Sequence, residues 1–237
     1  MLRKITYRFS GQLLAATGGG RVKRDPQFSF AFWERLRRKG WGLFLNQGTV
    51  LSCPILSGFE GGKIMSFTLI DLDNWHRKEY YLHFINEVRC TYSTCVNIDI
   101  TNIKRYKLYP TMLWLLTQTV NQLPEFRTEL TDKGLGIYDR MNPAYTVFNK
   151  EGKSFSAIWT EYSDNYRDFL QAYETDAAMY ANATSYSPKP GRPGNSFDVS
   201  MVPWFSFTAF DISVFDEGKY LLPMITILQE KIDSFAE

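Results

Sequence analysis

From Ser66 to Ile227 the chain alternates short β-branched runs with longer stretches that carry an apolar side, and that order restricts it to a sheet with helices packed on it. Asp73 is suited to cap a helix, and Asn74 to Asn86 then sets Trp75, Tyr80 and Phe84 toward one side. Thr91 to Ile100 (TYSTCVNIDI) is β-branched and partly alternating, which predicts a strand. Pro110 fits the first turn of a helix that continues through Met112 to Gln122 as a mostly apolar, buried element. Strand-like runs follow at Leu135 to Asp139, Tyr145 to Phe148 and Ser154 to Thr160. Tyr166 to Ala181 reads as an amphipathic helix, Ser185 to Gly194 (SYSPKPGRPG) as a loop, and Val199 to Trp204, Phe205 to Val214 and Tyr220 to Ile227 as further strands. The expectation is an α/β or α+β sandwich around one sheet.

The first 64 residues have a different character. They hold 11 Lys/Arg against three acids, a net charge of +8, whereas the remainder is net −6. Such asymmetry can mark an arm that binds nucleic acid or an anionic membrane. Gly18-Gly19-Gly20 and the scattered Pro26, Gly40, Gly42, Gly48, Pro54, Gly58, Gly61 and Gly62 interrupt most elements, leaving one helix around Phe30 to Lys39. Its basic, aromatic face fits a membrane or nucleic-acid surface, and it equally fits translated noncoding sequence. The glycine run lacks the Lys-Ser/Thr ending of a phosphate-binding loop. Glu60-Gly61-Gly62-Lys63 can be encoded by a purine-rich GGAGG just ahead of Met65, so residues 1–64 are expected to be a basic, disordered extension read from an upstream leader. Residues 65–237 are then the domain.

Aromatic residues make up 16% of the chain, which argues for a packed body. The three cysteines, Cys53, Cys90 and Cys95, have neither disulfide-framework nor zinc spacing, which favours a reducing compartment and hence the cytoplasm, with no metal. No apolar run approaches the ~20 residues that span a bilayer, and no secretory signal pattern is present.

Seven segments together carry a resemblance: IDLDNWHRKEYYLHF (70–84), VRCTYS (88–93), YKLYPTMLW (106–114), EFRT (125–128), YTVFNKEGKSFSAIWTEY (145–162), VSMVPWFSFTAFDI (199–212) and YLLPMIT (220–226). In order and spacing they resemble the chloramphenicol acetyltransferase family. The resemblance implies an α/β two-layer sandwich of a mixed sheet covered by helices, incomplete at the C-terminus. It also implies a homotrimer with interfacial active sites, and transfer of acetyl from acetyl-CoA to the 3-hydroxyl of chloramphenicol, an antibiotic-resistance activity. An alcohol is a poor nucleophile at neutral pH, so a histidine must take its proton and a hydroxyl donor must stabilise the oxyanion. Ser200 matches the family's oxyanion-donating serine, and Thr226 the threonine that positions a water beside it. Phe84, Cys90, Tyr92, Phe155, Ala157 and Ile212 match positions lining the antibiotic pocket, although each read alone is more often core. Arg77 matches an arginine that the family pairs with a buried aspartate, and losing one partner of such a pair costs about 3–5 kcal/mol. Arg77 should therefore turn outward or its surroundings loosen.

The family signature, His-His-x-x-x-Asp-Gly, is absent from this sequence, whose two histidines are His76 and His83, both on the first expected helix. A Lys-Tyr pair expected after the threonine appears as Gln229-Glu230. The ending KIDSFAE can be encoded by codons that, shifted by one base from Asp233, read Ile-Leu-Leu-Pro, like the strand that leads to the signature, which points to a lesion in the gene or in its sequencing. The expectation is a catalytically defective subunit, with an exposed sheet edge that favours aggregation over a clean trimer. A noncatalytic chloramphenicol-binding fragment is the alternative. Dihydrolipoamide acyltransferase domains share the fold, but the pocket motifs fit the antibiotic enzymes better.

Overall fold

A computed structural model describes residues 2–10, 66–88, 91–103, 105–203 and 219–229. The expected helix at Phe30 to Lys39, the strand at Phe205 to Val214, Cys90, Ile212 and the ending KIDSFAE lie outside them. The strands are β1 (Leu2–Ser10), β2 (Phe67–Leu69), β3 (Thr91–Asp99), β4 (Thr128–Thr131), β5 (Gly134–Tyr138), β6 (Asn142–Asn149), β7 (Ser154–Trp159), β8 (Ser196–Val202) and β9 (Met224–Gln229). The α-helices are α1 (Lys78–Asn86), α2 (Leu108–Gln122) and α3 (Tyr166–Met179).

A six-stranded mixed sheet has the order β3-β1-β9-β8-β6-β7, and beside it lies a three-stranded sheet, β2-β5-β4. β8 runs parallel to both β6 and β9, while β6 and β7 form an antiparallel hairpin. The second sheet extends the single-sheet expectation. The segment EFRT leads into the short strand β4, which pairs with β5 through the turn at Gly134, whose φ of 118° suits glycine. A Cβ at Gly136 would sit 2.6 Å from the Phe67 ring and 2.7 Å from the Thr68 carbonyl, so only glycine lets β2 close on β5.

Period-two alternation divides the large sheet into two faces. Val199 on β8 and Ile225 and Ile227 on β9 are buried against Met112, Leu113, Leu116 and Val120 of α2 and Phe169 of α3. Tyr145 and Ile158 supply the same face from β6 and β7. Burying each such side chain contributes about 1.5–3 kcal/mol. Helix α2 is apolar nearly all round, and its Thr111, Thr117 and Thr119 hydroxyls donate back to Lys107, Leu113 and Leu115 carbonyls at 2.7, 2.7 and 2.9 Å, so none is stranded. The Asn121 side chain bonds both backbone groups of Met141, accepting from its N–H at 2.7 Å and donating to its carbonyl at 3.1 Å. A smaller cluster packs Tyr81 and Ile85 of α1 against Leu135 and Leu221.

Two expectations need correction. Asp73 does not cap α1. The Asp71 carboxylate takes the Asp73 N–H at 3.0 Å and the Asn74 amide at 2.7 Å, forming a turn that delays the helix to Lys78. Asp73 instead accepts from Lys78 Nζ at 2.7 Å. The N-terminal extension, expected to be disordered apart from one helix around Phe30 to Lys39, contains β1: Leu2–Ser10 pairs antiparallel with β3 along its whole length and with β9 from Arg3 to Arg8. Its sequence alternates Ile5, Tyr7 and Phe9 with Lys4, Thr6 and Arg8, the period a strand requires.

Candidate functional site

Because Val199, Ile225 and Ile227 face the helices, the intervening Ser200 and Thr226 belong to the opposite face of the sheet. They are register partners in the parallel β8/β9 ladder, and their hydroxyls share a hydrogen bond of 2.9 Å. Thr226 is 6% exposed and Ser200 is half-buried. Two hydroxyls in one bond leave one hydrogen uncommitted, which can donate to an oxygen arriving from the side of Ser200.

Register carries the same face outward. Tyr145 and Ile158 are opposite one another on the core side, so Ala157, opposite Thr146, and Phe155, opposite Phe148, lie on the face of Ser200 and Thr226. Ala157 is half-buried and its N–H donates to the Tyr186 carbonyl at 2.6 Å. Phe155 is 56% exposed and meets the Tyr186 ring edge-on at 6.2 Å. Four of the sequence-derived site residues thus share one surface.

The others are apart from it or outside the description. Phe84 is half-buried on α1, its ring 5.1 Å from that of His83. Tyr92 stands opposite Phe9 in the β1/β3 ladder. Arg77 is half-buried just before α1, its carbonyl accepting from the Tyr81 N–H at 3.0 Å, and it forms no ion pair among the described residues. Both histidines are exposed. His83 Nδ1 lies 2.7 Å from Glu87 Oε2, and no histidine hydrogen-bonds to Ser200 or Thr226 among the described residues.

The structure also adds residues that sequence reasoning left out. Cys95 is opposite Thr6, Thr6 opposite Thr226, and Thr226 opposite Ser200, one row across four strands. Only register reveals that row; the spacing of Cys95 in its own strand carries no hint of it. Asp198, two residues before Ser200 and on its face, bonds Arg192 at 3.0 Å and accepts from Tyr220 at 3.2 Å. Burial works to lower the Arg192 guanidinium, but the bond and charge of Asp198 outweigh it and hold it above its ordinary value. Burial, then the Asp198 charge, pushes the Tyr220 phenol far above its ordinary value. This cluster ties the Pro/Gly loop to β8 beside the hydroxyl pair. No group of three potential metal ligands occurs among the described residues.

A family model described as chloramphenicol acetyltransferase matches residues 65–233. A chloramphenicol acetyltransferase of Clostridium perfringens is 44% identical over 170 residues, 69% of this chain and 78% of the relative. One from Campylobacter coli is 45% identical over 165 residues, 68% of this chain and 80% of the relative. One from Escherichia coli is 39% identical over 171 residues, 70% of this chain and 78% of the relative.

Proposed function

Since the chain belongs to the chloramphenicol acetyltransferase family, we propose that its chemistry is transfer of an acetyl group from acetyl-CoA to the 3-hydroxyl of chloramphenicol, with neither His76 nor His83 placed to act as its base. It is an acyltransferase of the antibiotic-resistance type. The observation that carries this reading is the Ser200–Thr226 hydroxyl pair, 2.9 Å apart, on the sheet face that also bears Ala157 and Phe155. A thioester carbonyl attacked by an alcohol develops negative charge on oxygen, and a preset O–H donor stabilises that charge as it forms. Ser200 is assigned that donation and Thr226 the support of Ser200 and of a water beside it. Phe84, Cys90, Tyr92, Phe155, Ala157 and Ile212 are assigned to the antibiotic's pocket, completed between subunits of a homotrimer. The protein works in the cytoplasm, without metal; no helix among the described residues is long and apolar enough to cross a membrane.

The alcohol's proton must also leave. A base needs to lie within hydrogen-bond reach of that hydroxyl, about 2.6–3.2 Å. His83 is 49% exposed and bonded to Glu87, and His76 is exposed, so neither is arranged for the task. A polypeptide of these residues alone is therefore expected to bind chloramphenicol without turnover. The test is to incubate the purified chain with chloramphenicol and acetyl-CoA, following free CoA thiol, and to measure chloramphenicol binding by calorimetry. No thiol release together with binding weakened several-fold by Phe155→Ala is expected. Turnover would refute the missing-base argument, and absence of binding would refute the pocket.

A further inference from the structure

Residues 183–190 form a strap along β7, which ends the large sheet and has no strand beyond it among the described residues. The Ala157 N–H on that edge donates to the Tyr186 carbonyl at 2.6 Å. Beside it Ser156, 2% exposed, donates through its hydroxyl to the Ser185 carbonyl at 2.7 Å. Asn149, 5% exposed, donates through its side-chain amide to the Ala183 carbonyl at 3.3 Å, and its amide oxygen takes the Glu151 and Gly152 N–H groups at 3.0 Å each. Trp159 Nε1 donates to the Pro190 carbonyl at 3.3 Å. Polar side chains of β6 and β7, two of them buried, therefore hold the backbone of a segment that has no regular secondary structure of its own.

Lys189 pins the strap further along. It lies between Pro188 and Pro190, whose rings lock φ and keep each preceding residue extended, so Ser187 to Pro190 is a stiff stretch of backbone. A stiff stretch pinned at one residue passes that placement to its neighbours. Lys189 Nζ bonds Asp176 of α3 at 2.6 Å and sits 4.3 Å from the centre of the Trp159 ring. Three residues back, the exposed rings of Tyr186 and Phe155 stand 6.2 Å apart at 74° to one another. Two exposed rings nearly at right angles make a corner in which a flat aromatic ligand can stack on one and meet the other edge-on.

On the reading that Phe155 lines the antibiotic's pocket, from which this follows, we propose that Lys189 is a positioning residue. Its ion pair with Asp176 sets where Tyr186 stands against Phe155, and thereby how tightly the aromatic ring of chloramphenicol is held. Tyr186 is the contact with the antibiotic, and Lys189 acts through it without touching the ligand. The pair then has two separable effects, because affinity is a property of the folded molecules whereas a urea midpoint reports how many of them are folded.

The test compares the full chain with Lys189→Met, Tyr186→Ala and their combination, and with Asn121→Ala as a control destabilised outside the strap. Chloramphenicol affinity, read by calorimetry, should fall about three- to tenfold in Lys189→Met, and no further when the same change is made on Tyr186→Ala. Asn121→Ala should leave affinity unchanged. Unchanged affinity in Lys189→Met, equal weakening in both backgrounds, or the same weakening in Asn121→Ala would each overturn the proposal. A second readout needs no ligand. The Ala157 amide, which bonds the Tyr186 carbonyl, should exchange on the order of tenfold or more faster in Lys189→Met, measured relative to the paired amides of the β6/β7 hairpin, and should not do so in Asn121→Ala. Ala157 exchange that merely follows the rest of the hairpin overturns the proposal as well. A wild-type chain that binds no chloramphenicol refutes the pocket instead, and the Ala157 amide then decides whether Lys189 sets the strap. Where Lys189→Met does not fold, Asp176→Asn takes its place with the same expected results, since it keeps an acceptor for Thr160 and removes the charge that holds Lys189.

Discussion

Lys189→Met should be among the costliest single changes outside the apolar core. Lys189 Nζ lies 2.6 Å from Asp176 Oδ1, and the two side chains are only 17% and 16% exposed. Asp176 Oδ2 also accepts from the Thr160 hydroxyl at 2.6 Å, and Thr160 in turn shares a 2.7 Å bond with the Tyr145 hydroxyl. Lys189 sits 4.3 Å from the centre of the Trp159 ring. The pair therefore clamps the Pro/Gly loop, α3 and β7 together. Methionine keeps the stem and the ring contact but leaves the carboxylate with one neutral donor in a mostly dry place. Breaking one side of a buried pair costs about 3–5 kcal/mol, and the residual exposure reduces this to about 2–4 kcal/mol. Replacing both partners, Asp176→Leu with Lys189→Met, removes the orphaned charge, so the double variant should fall within about 1 kcal/mol of the wild-type chain. Urea unfolding followed by tryptophan fluorescence reads these differences as shifts in midpoint at constant slope. A single variant that costs less than about 0.5 kcal/mol, or a double variant whose loss equals the sum of the two singles, would refute the reasoning.

Three further outcomes are expected. Burial pushes the Glu129 carboxyl above its ordinary 4.5, against the bond from Tyr138, so the folded chain holds more protons there than the unfolded one and loses stability as pH rises from 4.5 through the folded value. Glu129→Gln keeps an acceptor for Tyr138 and should match the wild type below that window and exceed it in urea midpoint above it; equal midpoints at every pH would contradict this. Burial drives Tyr109 and Tyr145 far above the ordinary phenol value of 10.0 and Tyr173 to about 12, so their stability contribution is intact below pH 10 and is lost as pH rises beyond it. Phenolate absorbance should accordingly rise in a cooperative step that coincides with loss of helical circular dichroism, whereas gradual ionisation with the fold intact would show these rings to be accessible. Asn121→Ala strands both backbone groups of the fully buried Met141 and should lower stability by about 1–3 kcal/mol in the same urea assay.

Much of the helical content could be read directly, for reasons that particular residues make plain. The helix expected at Met112 to Gln122 forms as Leu108–Gln122, because its apolar residues repeat at helical spacing and nothing local opposes them. The helix expected from Tyr166 forms as Tyr166–Met179, with Asn165 accepting the Arg167 N–H at 2.9 Å as its cap. The start expected at Asn74 slips to Lys78 because the Asp71 carboxylate draws the Asp73 N–H and the Asn74 side chain into a turn, and the helix begins after Arg77 with no side-chain cap. In the candidate site, Ser200 and Thr226 are proposed from the segments that hold them and Asp198 lies two residues from Ser200 on the same strand face, while Cys95 joins their row only through strand register.

Local periodicity by itself determined the alternation of strands with helices from Ser66 onward and hence a helix-covered sheet, while seven segments in order and spacing carried the resemblance to the acetyltransferase family. Only the tertiary structure decided which strands are neighbours, that Ser200 and Thr226 bond across a parallel ladder, and that a strand from the far amino terminus lies between β3 and β9. The physical reason is that a strand's side-chain pattern declares its two faces, whereas its backbone edges are chemically alike in every strand. Which edge it meets is settled by what the rest of the sheet leaves unpaired.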